Sequence, residues 1–236
     1  MKKIRTVGIW GDSVLKGIVY DEKQEKYVTC HKSAVSMLSR EYPEMTIRDL
    51  SRFGSTAPKG ESRLRYSIEN GYVPDMAIIE FGGNDCDFKW QEVSDNCQSD
   101  HQPHISLDKY IDSMKRMTEF LRENGIDPVI ATLPPISAER YFDWICMPDT
   151  IDQVRVLYWL DEKQIIYRSQ ERYSHAAMKL AYDEGVLLLD LREPMLELRN
   201  YSDYLCIDGI HPNEKGQQFI GKVLIDFFRK NIVERS

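Results

Sequence analysis

The sequence predicts an α/β domain built on a five-stranded parallel sheet, and three observations carry that prediction. Five short apolar runs punctuate the chain, at residues 4–10, 45–50, 76–81, 128–133 and 186–191. Several are nearly continuous in Val, Ile and Leu rather than alternating, which is the pattern of strands covered on both faces. Helix-period segments lie between them, and strands alternating with helices imply βαβ units with right-handed crossovers.

The helices follow in order. Residues 33–42 form a short helix, and residues 59–70 form a second that ends at Asn70-Gly71. Leu107–Glu123 places Leu107, Tyr110, Ile111, Met114, Met117, Phe120 and Leu121 on one stripe, with Ser106 to cap its start and Asn124-Gly125 to end it. The last helix, residues 214–229, gathers Phe219, Ile220, Val223, Leu224, Phe227 and Phe228 on one face. Two stretches break the rhythm. Residues 86–105 are polar and read as a long loop. Residues 136–184, between the fourth and fifth strands, read as two or more helices and carry many aromatic side chains. With no repeat, low-complexity tract or linker, residues 1–236 read as one domain, with a loop insertion at 86–105 and a helical insertion at 136–184.

Composition narrows the function. Against 31 Lys+Arg the chain has 38 Asp+Glu, a net charge of −7, which removes the electrostatic term behind most nucleic-acid binding. No apolar run approaches the ~20 residues of a membrane helix, and the apolar stretch at 4–10 is too short for an export signal. The expected location is the cytoplasm. The five cysteines, Cys30, Cys86, Cys97, Cys146 and Cys206, are odd in number and widely spaced, without a CxxC, so neither a disulfide framework nor a zinc site is expected. Cys97, His101 and His104 lack a fourth ligand nearby, and no metal is expected there.

Four blocks carry residues suited to chemistry. Gly11-Asp12-Ser13 follows the first strand, where a serine can present its hydroxyl to a cleft and its N–H to an incoming oxygen. Gly54 lies just past the second strand, and its N–H is another donor. Gly82-Gly83-Asn84-Asp85 follows the third, with glycines for a tight turn and the Asn84 amide as a donor. Asp208-Gly209-Ile210-His211 lies just after the fifth strand and before the last helix, and its three-residue spacing lets a carboxylate hold the imidazole Nδ1–H and leave Nε2 as a base. Taken singly, each block reads equally as ordinary turn chemistry. Together they fall on the side where a doubly wound sheet gathers its site, and they supply a nucleophile, a base, an orienting group and oxyanion donors, the set that acyl transfer needs.

In order and spacing these blocks, with Thr132-Leu133-Pro134-Pro135 after the fourth strand, resemble the SGNH, or GDSL-type, hydrolase superfamily from residue 4 to residue 228. The resemblance implies a flavodoxin-like three-layer α/β/α sandwich and hydrolysis of an ester or thioester with no metal or cofactor. It implies Ser13 as nucleophile, His211 as base and Asp208 as the group that orients His211. It also implies an oxyanion hole made by the Ser13 N–H, the Gly54 N–H and the Asn84 side chain. The serine block reads Gly11-Asp12-Ser13-Val14-Leu15, without the commoner Gly-Asp-Ser-Leu, which leaves the catalytic atoms in place and the subfamily undefined.

The expected partner is a small-molecule ester, short-chain or carbohydrate, with no nucleic acid and no membrane span. An acyl-thioesterase or lysophospholipase of the same fold, and a catalytically silent flavodoxin-like binding module, are the alternatives. No Gly-x-Ser-x-Gly elbow or Gly-x-Gly-x-x-Gly loop is present, and Lys16-Gly17 reverses the P-loop order. Asp12, Cys86, Trp90, Tyr141 and Trp144 are candidates to touch substrate, with 86–105 and 136–146 rimming the pocket. The remaining aromatic side chains of 136–173 are expected to pack in the core or at a subunit interface, and homo-oligomerisation is left open.

Overall fold

A computed structural model describes residues 3–233; the first two and last three positions of the predicted domain lie outside the described residues. Five strands, β1 (Thr6–Gly11), β4 (Thr46–Asp49), β5 (Met76–Glu80), β6 (Asp127–Ala131) and β7 (Leu187–Leu189), form one parallel sheet in the order β4-β1-β5-β6-β7. The chain winds first to one side of β1 and then, from β5, to the other. The gap between β1 and β5 is therefore the topological switch point, where ligands of such sheets bind.

Successive side chains of a strand face opposite sides, and here the alternation sorts the core into two layers. Val7, Ile9, Ile78 and Val129 face one layer, covered by α1 (Ala34–Glu41) and α9 (Glu214–Phe228). Trp10, Ala77, Ile79 and Ile130 face the other, covered by α2 (Ala57–Glu69), α4 (Leu107–Glu123) and α7 (Gln164–Asp183). The result is the expected three-layer α/β/α sandwich.

The details differ from expectation where side chains override pattern. The second helix starts at Ala57 rather than 59, because the buried Asp85 carboxylate accepts the Ala57 N–H at 2.9 Å and completes that helix end. Ser106 occupies the cap position of α4, yet its side chain makes no capping bond. The stretch 86–105 is not all loop: it contains α3 (Trp90–Asp95). The stretch 136–184 divides in two. Its first part, α5 (Ala138–Ile145) and α6 (Gln153–Leu160), joins α3 in a third apolar cluster around Val93, Phe142 and Val156. Its second part, α7, belongs to the sandwich itself, where Tyr173, Ala177 and Ala181 are buried among the residues of α4.

Several further elements carried no sequence expectation. A small antiparallel hairpin, β2 (Ile18–Asp21) with β3 (Lys26–Thr29), follows the Ser13 turn. Between β7 and α9 come α8 (Arg192–Leu196) and a 3₁₀ turn at Tyr201–Tyr204, so Asp208 stands well beyond the fifth strand of the sheet rather than just after it. Among the described residues, no helix is long and apolar enough to cross a membrane.

Candidate active site

Ser13 sits in a tight turn at the carboxyl end of β1. The turn is closed by Lys16 N–H to Asp12 O at 3.1 Å and Ile18 N–H to Ser13 O at 2.9 Å, and the Asp12 carboxylate accepts the Val14 N–H at 2.9 Å. The fully buried Gln217 of α9 holds it from behind, with its amide donating to Val14 O at 2.9 Å and its oxygen accepting the Ala34 N–H at 3.1 Å. One side chain thus ties the turn to the starts of α1 and α9.

His211 reaches Ser13 from the far end of the chain. The loop before α9 folds back on itself through Cys206 N–H to His211 O at 2.7 Å and Asn213 N–H to Tyr204 O at 2.9 Å. Gly209 makes this possible: its φ is +75°, and a Cβ there would come within 2.6 Å of the Arg140 Cβ. Its carbonyl accepts the Ser137 N–H at 2.8 Å, which fixes the loop to the start of α5.

The outcome is a continuous hydrogen-bonded series. His211 Nε2 lies 2.9 Å from Ser13 Oγ, and His211 Nδ1 lies 2.7 Å from Asp208 Oδ2. An ionised carboxylate only accepts, so Nδ1 carries the hydrogen and Nε2 is left to accept from the serine hydroxyl. The Oδ1 atom of Asp208 accepts the amides of Ile210 at 3.0 Å and His211 at 3.1 Å. Burial alone would push the Asp208 carboxyl up, but the hydrogen bond and charge of His211, with those two amides, hold it below the ordinary carboxylate range. Asp208 is fully shielded from solvent, whereas Ser13 and His211 each keep 6% of their surface open to a cavity of about 380 Å³.

The predicted oxyanion donors are placed unequally. Among the described residues, neither the Ser13 N–H nor the Gly54 N–H is given to a protein acceptor. The Asn84 amide is already engaged at both hydrogens, donating to Asp12 Oδ2 at 3.2 Å and Ser55 O at 3.1 Å. Asp12, a substrate-contact candidate, is 1% exposed and occupied by Val14 and Asn84.

An acidic layer underlies the serine turn. Burial pushes the Asp12 carboxyl up to about 6, an effect reduced by the Val14 amide and the charge of His211. Glu80, fully buried at the end of β5, is pushed well up by burial and then by the charge of Asp12, whose N–H it accepts at 3.4 Å. Asp85 is raised to about 7, again mainly by burial, against the opposing effect of the Ala57 amide.

The cavity wall comes from the added helices. Trp90, Tyr141 and Trp144, all predicted near substrate, line it together with Ile136, Ile145 and Ile166. Tyr141 Oη and Trp90 Nε1 both donate to Asp87 at 2.8 Å, which anchors the two rings to the loop after β5. Cys86 also lines the cavity; its thiol contacts Gly83 O at 3.3 Å, and burial raises it well above its ordinary value, the state of a packed rather than a reactive cysteine. His101 and His104 bond to the carbonyls of Asn96 and Asn84, at 2.8 and 3.0 Å. Among the described residues, no group of three or more His, Cys, Asp or Glu side chains is arranged to hold a metal ion.

Some residues at the site had no sequence signal. Phe53 stacks on His211 with ring centroids 5.9 Å apart, and Tyr27 of the hairpin donates to Asp208 Oδ2 at 2.9 Å. The Tyr27-Val28 pair inside a polar stretch was the single hint of a strand there. Gln217, a polar residue in α9, carried no sequence expectation.

A family model described as the GDSL-like Lipase/Acylhydrolase family matches residues 9–219, and the chain belongs to that family. A human protein described as isoamyl acetate-hydrolyzing esterase 1 homolog is 26% identical over 162 residues, 68% of this chain and 58% of that protein. The chain spans a little over half the length of the curated relatives it matches first. Among solved structures, the lipase/acylhydrolase from Enterococcus faecalis superposes with a TM-score of 0.65 at 18% identity, covering 96% of both chains. A mutant of Axe2, an acetyl-xylooligosaccharide esterase from Geobacillus, superposes with a TM-score of 0.63 at 17% identity, over 98% of this chain and 95% of that one. These likenesses establish the SGNH hydrolase fold.

Proposed function

We propose that the protein is a serine-dependent hydrolase of small carboxylic esters with an apolar acyl or alcohol group. The observation that carries this reading is the series Ser13–His211–Asp208, with contacts of 2.9 and 2.7 Å, opening on a half-open cavity at the sheet's switch point. Free serine is a poor nucleophile, so His211 Nε2 takes the Ser13 proton as Oγ attacks the ester carbonyl. Asp208 fixes the imidazole tautomer and stabilises the imidazolium that forms. The oxyanion that develops is met by the N–H groups of Ser13 and Gly54. Asn84 joins them by releasing its bond to Asp12, which is the longer of its two. Each such donor is worth roughly 10²–10³ in rate. His211 then protonates the leaving alcohol, and a water deprotonated by His211 hydrolyses the acyl-enzyme.

The cavity supports the substrate class. Its volume, about 380 Å³, is at the small end of ligand pockets, and aliphatic and aromatic side chains dominate the wall. That favours a short apolar ester over a sugar ester, which would leave hydroxyl groups without partners against Ile136, Ile145 and Ile166. Thioesters of the same size fit the same geometry. All five cysteines are unpaired, in keeping with a reducing compartment such as the cytoplasm. The test is a panel of p-nitrophenyl esters and acyl thioesters, assayed on wild type beside Ser13→Ala. Hydrolysis of short esters, lost in Ser13→Ala while the variant stays folded, supports the reading. Equal rates for the two proteins reject it.

A further inference from the structure

We propose that Tyr27, carried on the β2–β3 hairpin, is a positioning residue for His211 and acts through Asp208; the proposal rests on the catalytic roles given above. Its hydroxyl donates to Asp208 Oδ2 at 2.9 Å, the same oxygen that takes the His211 Nδ1–H at 2.7 Å. The other oxygen accepts the two backbone amides of Ile210 and His211. A carboxylate has about four acceptor sites, so all of them are filled, and the Tyr27 hydroxyl fills the one that neither a backbone amide nor His211 reaches. Asp208 has no solvent exposure with Tyr27 in place, so the phenol and not water completes its shell. With every acceptor site used, the carboxylate cannot rotate without breaking a buried bond, and Oδ2 stays aimed at Nδ1.

The ring of Tyr27 acts with its hydroxyl. It packs 4.9 Å from the His211 ring and 5.3 Å from Phe53, so the imidazole is covered on the hairpin side. The hairpin is itself pinned to its surroundings. Tyr20 meets Trp144 edge-on at 4.8 Å, and the Tyr20 N–H lies 3.3 Å from the Cys206 sulfur. The phenol therefore stays protonated as a donor: burial, then the charge of Asp208 and the hydrogen bond to it, push its ionisation well above the ordinary tyrosine value. The other titratable groups facing this cluster are Cys206 and Tyr20 beside the phenol and Asp12 toward His211, with Glu80 and Asp85 around Asp12.

The test compares Tyr27→Phe with wild type, with Tyr20→Phe as a hairpin control that leaves the Asp208 contact intact. Tyr27→Phe keeps the ring and removes one donor. It is expected to lower kcat about tenfold with KM little changed, the size of effect that follows from a lost hydrogen bond to a buried charge. Without the hydroxyl, more negative charge remains on Oδ2 beside the imidazole and favours its protonated form. The acid limb of kcat/KM is therefore expected to move to higher pH by about half a unit. Tyr20→Phe is expected to leave both the rate and the limb in place. In the free protein, the imidazole Nδ1–H resonance and an NMR titration of His211 read the same contact without turnover. An unmoved limb and an unchanged Nδ1–H resonance in Tyr27→Phe overturn the proposal, even if the rate falls with stability. If wild type hydrolyses no ester in the panel, the proposed function fails, while the NMR comparison still decides the role of Tyr27.

Discussion

The sheet end and its cover divide the site between them. At the sheet end, backbone turns of fixed geometry hold the groups to which the proposed function gives the chemistry. Ser13 follows β1, Asn84 follows β5, and the Gly209 loop brings His211 to meet them. The cover, made of the β2–β3 hairpin with α3, α5 and α6, contributes side chains instead. Trp90, Tyr141 and Trp144 shape the cavity, and Tyr27 closes the far side of Asp208. Under the proposed function, the difference teaches that chemistry and selectivity sit on separable parts of this molecule. Changes at the sheet end are expected to abolish the rate, and changes in the cover to redirect it.

The largest expected effects therefore lie at the sheet end. Ser13→Ala or His211→Ala should lower kcat about 10³-fold or more, and the double variant should lose little beyond either single one, because residues acting as a unit are not additive. Additive losses in single-turnover assays would break the comparison. Gly209→Ala tests the loop that delivers His211. A side chain at φ +75°, pressed against Arg140 and the Ser137 carbonyl, should cost about 1–3 kcal/mol and lower the midpoint of denaturant unfolding. Unchanged stability would show that the loop is not constrained as described.

In the cover the effects should be smaller and selective. Trp144→Ala enlarges the cavity wall and should shift preference toward longer acyl or alkyl groups by about tenfold in kcat/KM, with kcat on the best substrate retained. A uniform loss across an ester series would place Trp144 in the machinery rather than in the wall.

How far each part was visible in the sequence follows the same division. Continuous runs such as Met76-Ala77-Ile78-Ile79 announce a doubly covered strand, and the Asp208–His211 spacing already implied the contact now seen at 2.7 Å. The hairpin was hidden because its strands are four residues each and its turn, Glu22-Lys23-Gln24-Glu25, lacks the Asn-Gly or Asp-Gly signal. Glu25 supplies the left-handed conformation there, at φ +49°. α7 fell within 136–184, read as an insertion because that stretch breaks the strand–helix rhythm, yet Tyr173 packs against Tyr110 of α4 at 5.1 Å, inside the sandwich. The engagement of Asn84 with Asp12 and Ser55 is a tertiary fact that no local pattern encodes.

A separate expected effect, read in stability rather than rate, concerns the acidic layer. Asp85 is raised from 3.8 to about 7, so the folded state keeps a proton that the unfolded chain has released. Its contribution to stability is present below pH 4 and is lost as the pH rises toward 7, with a slope of up to about 1.4 kcal/mol per pH unit. Asp12 and Glu80 act in the same direction. Asp85→Asn still offers an oxygen to the Ala57 N–H, so it should flatten the fall in Tm between pH 4 and 7. An identical slope in the variant would assign the pH dependence elsewhere.

The most direct measurement is covalent labelling of the intact protein with a small fluorophosphonate ester, read by mass spectrometry with peptide mapping. A single adduct on Ser13, absent in Ser13→Ala and strongly slowed in His211→Ala, is the predicted result. No adduct on wild type, or one that forms equally in Ser13→Ala, would contradict the account.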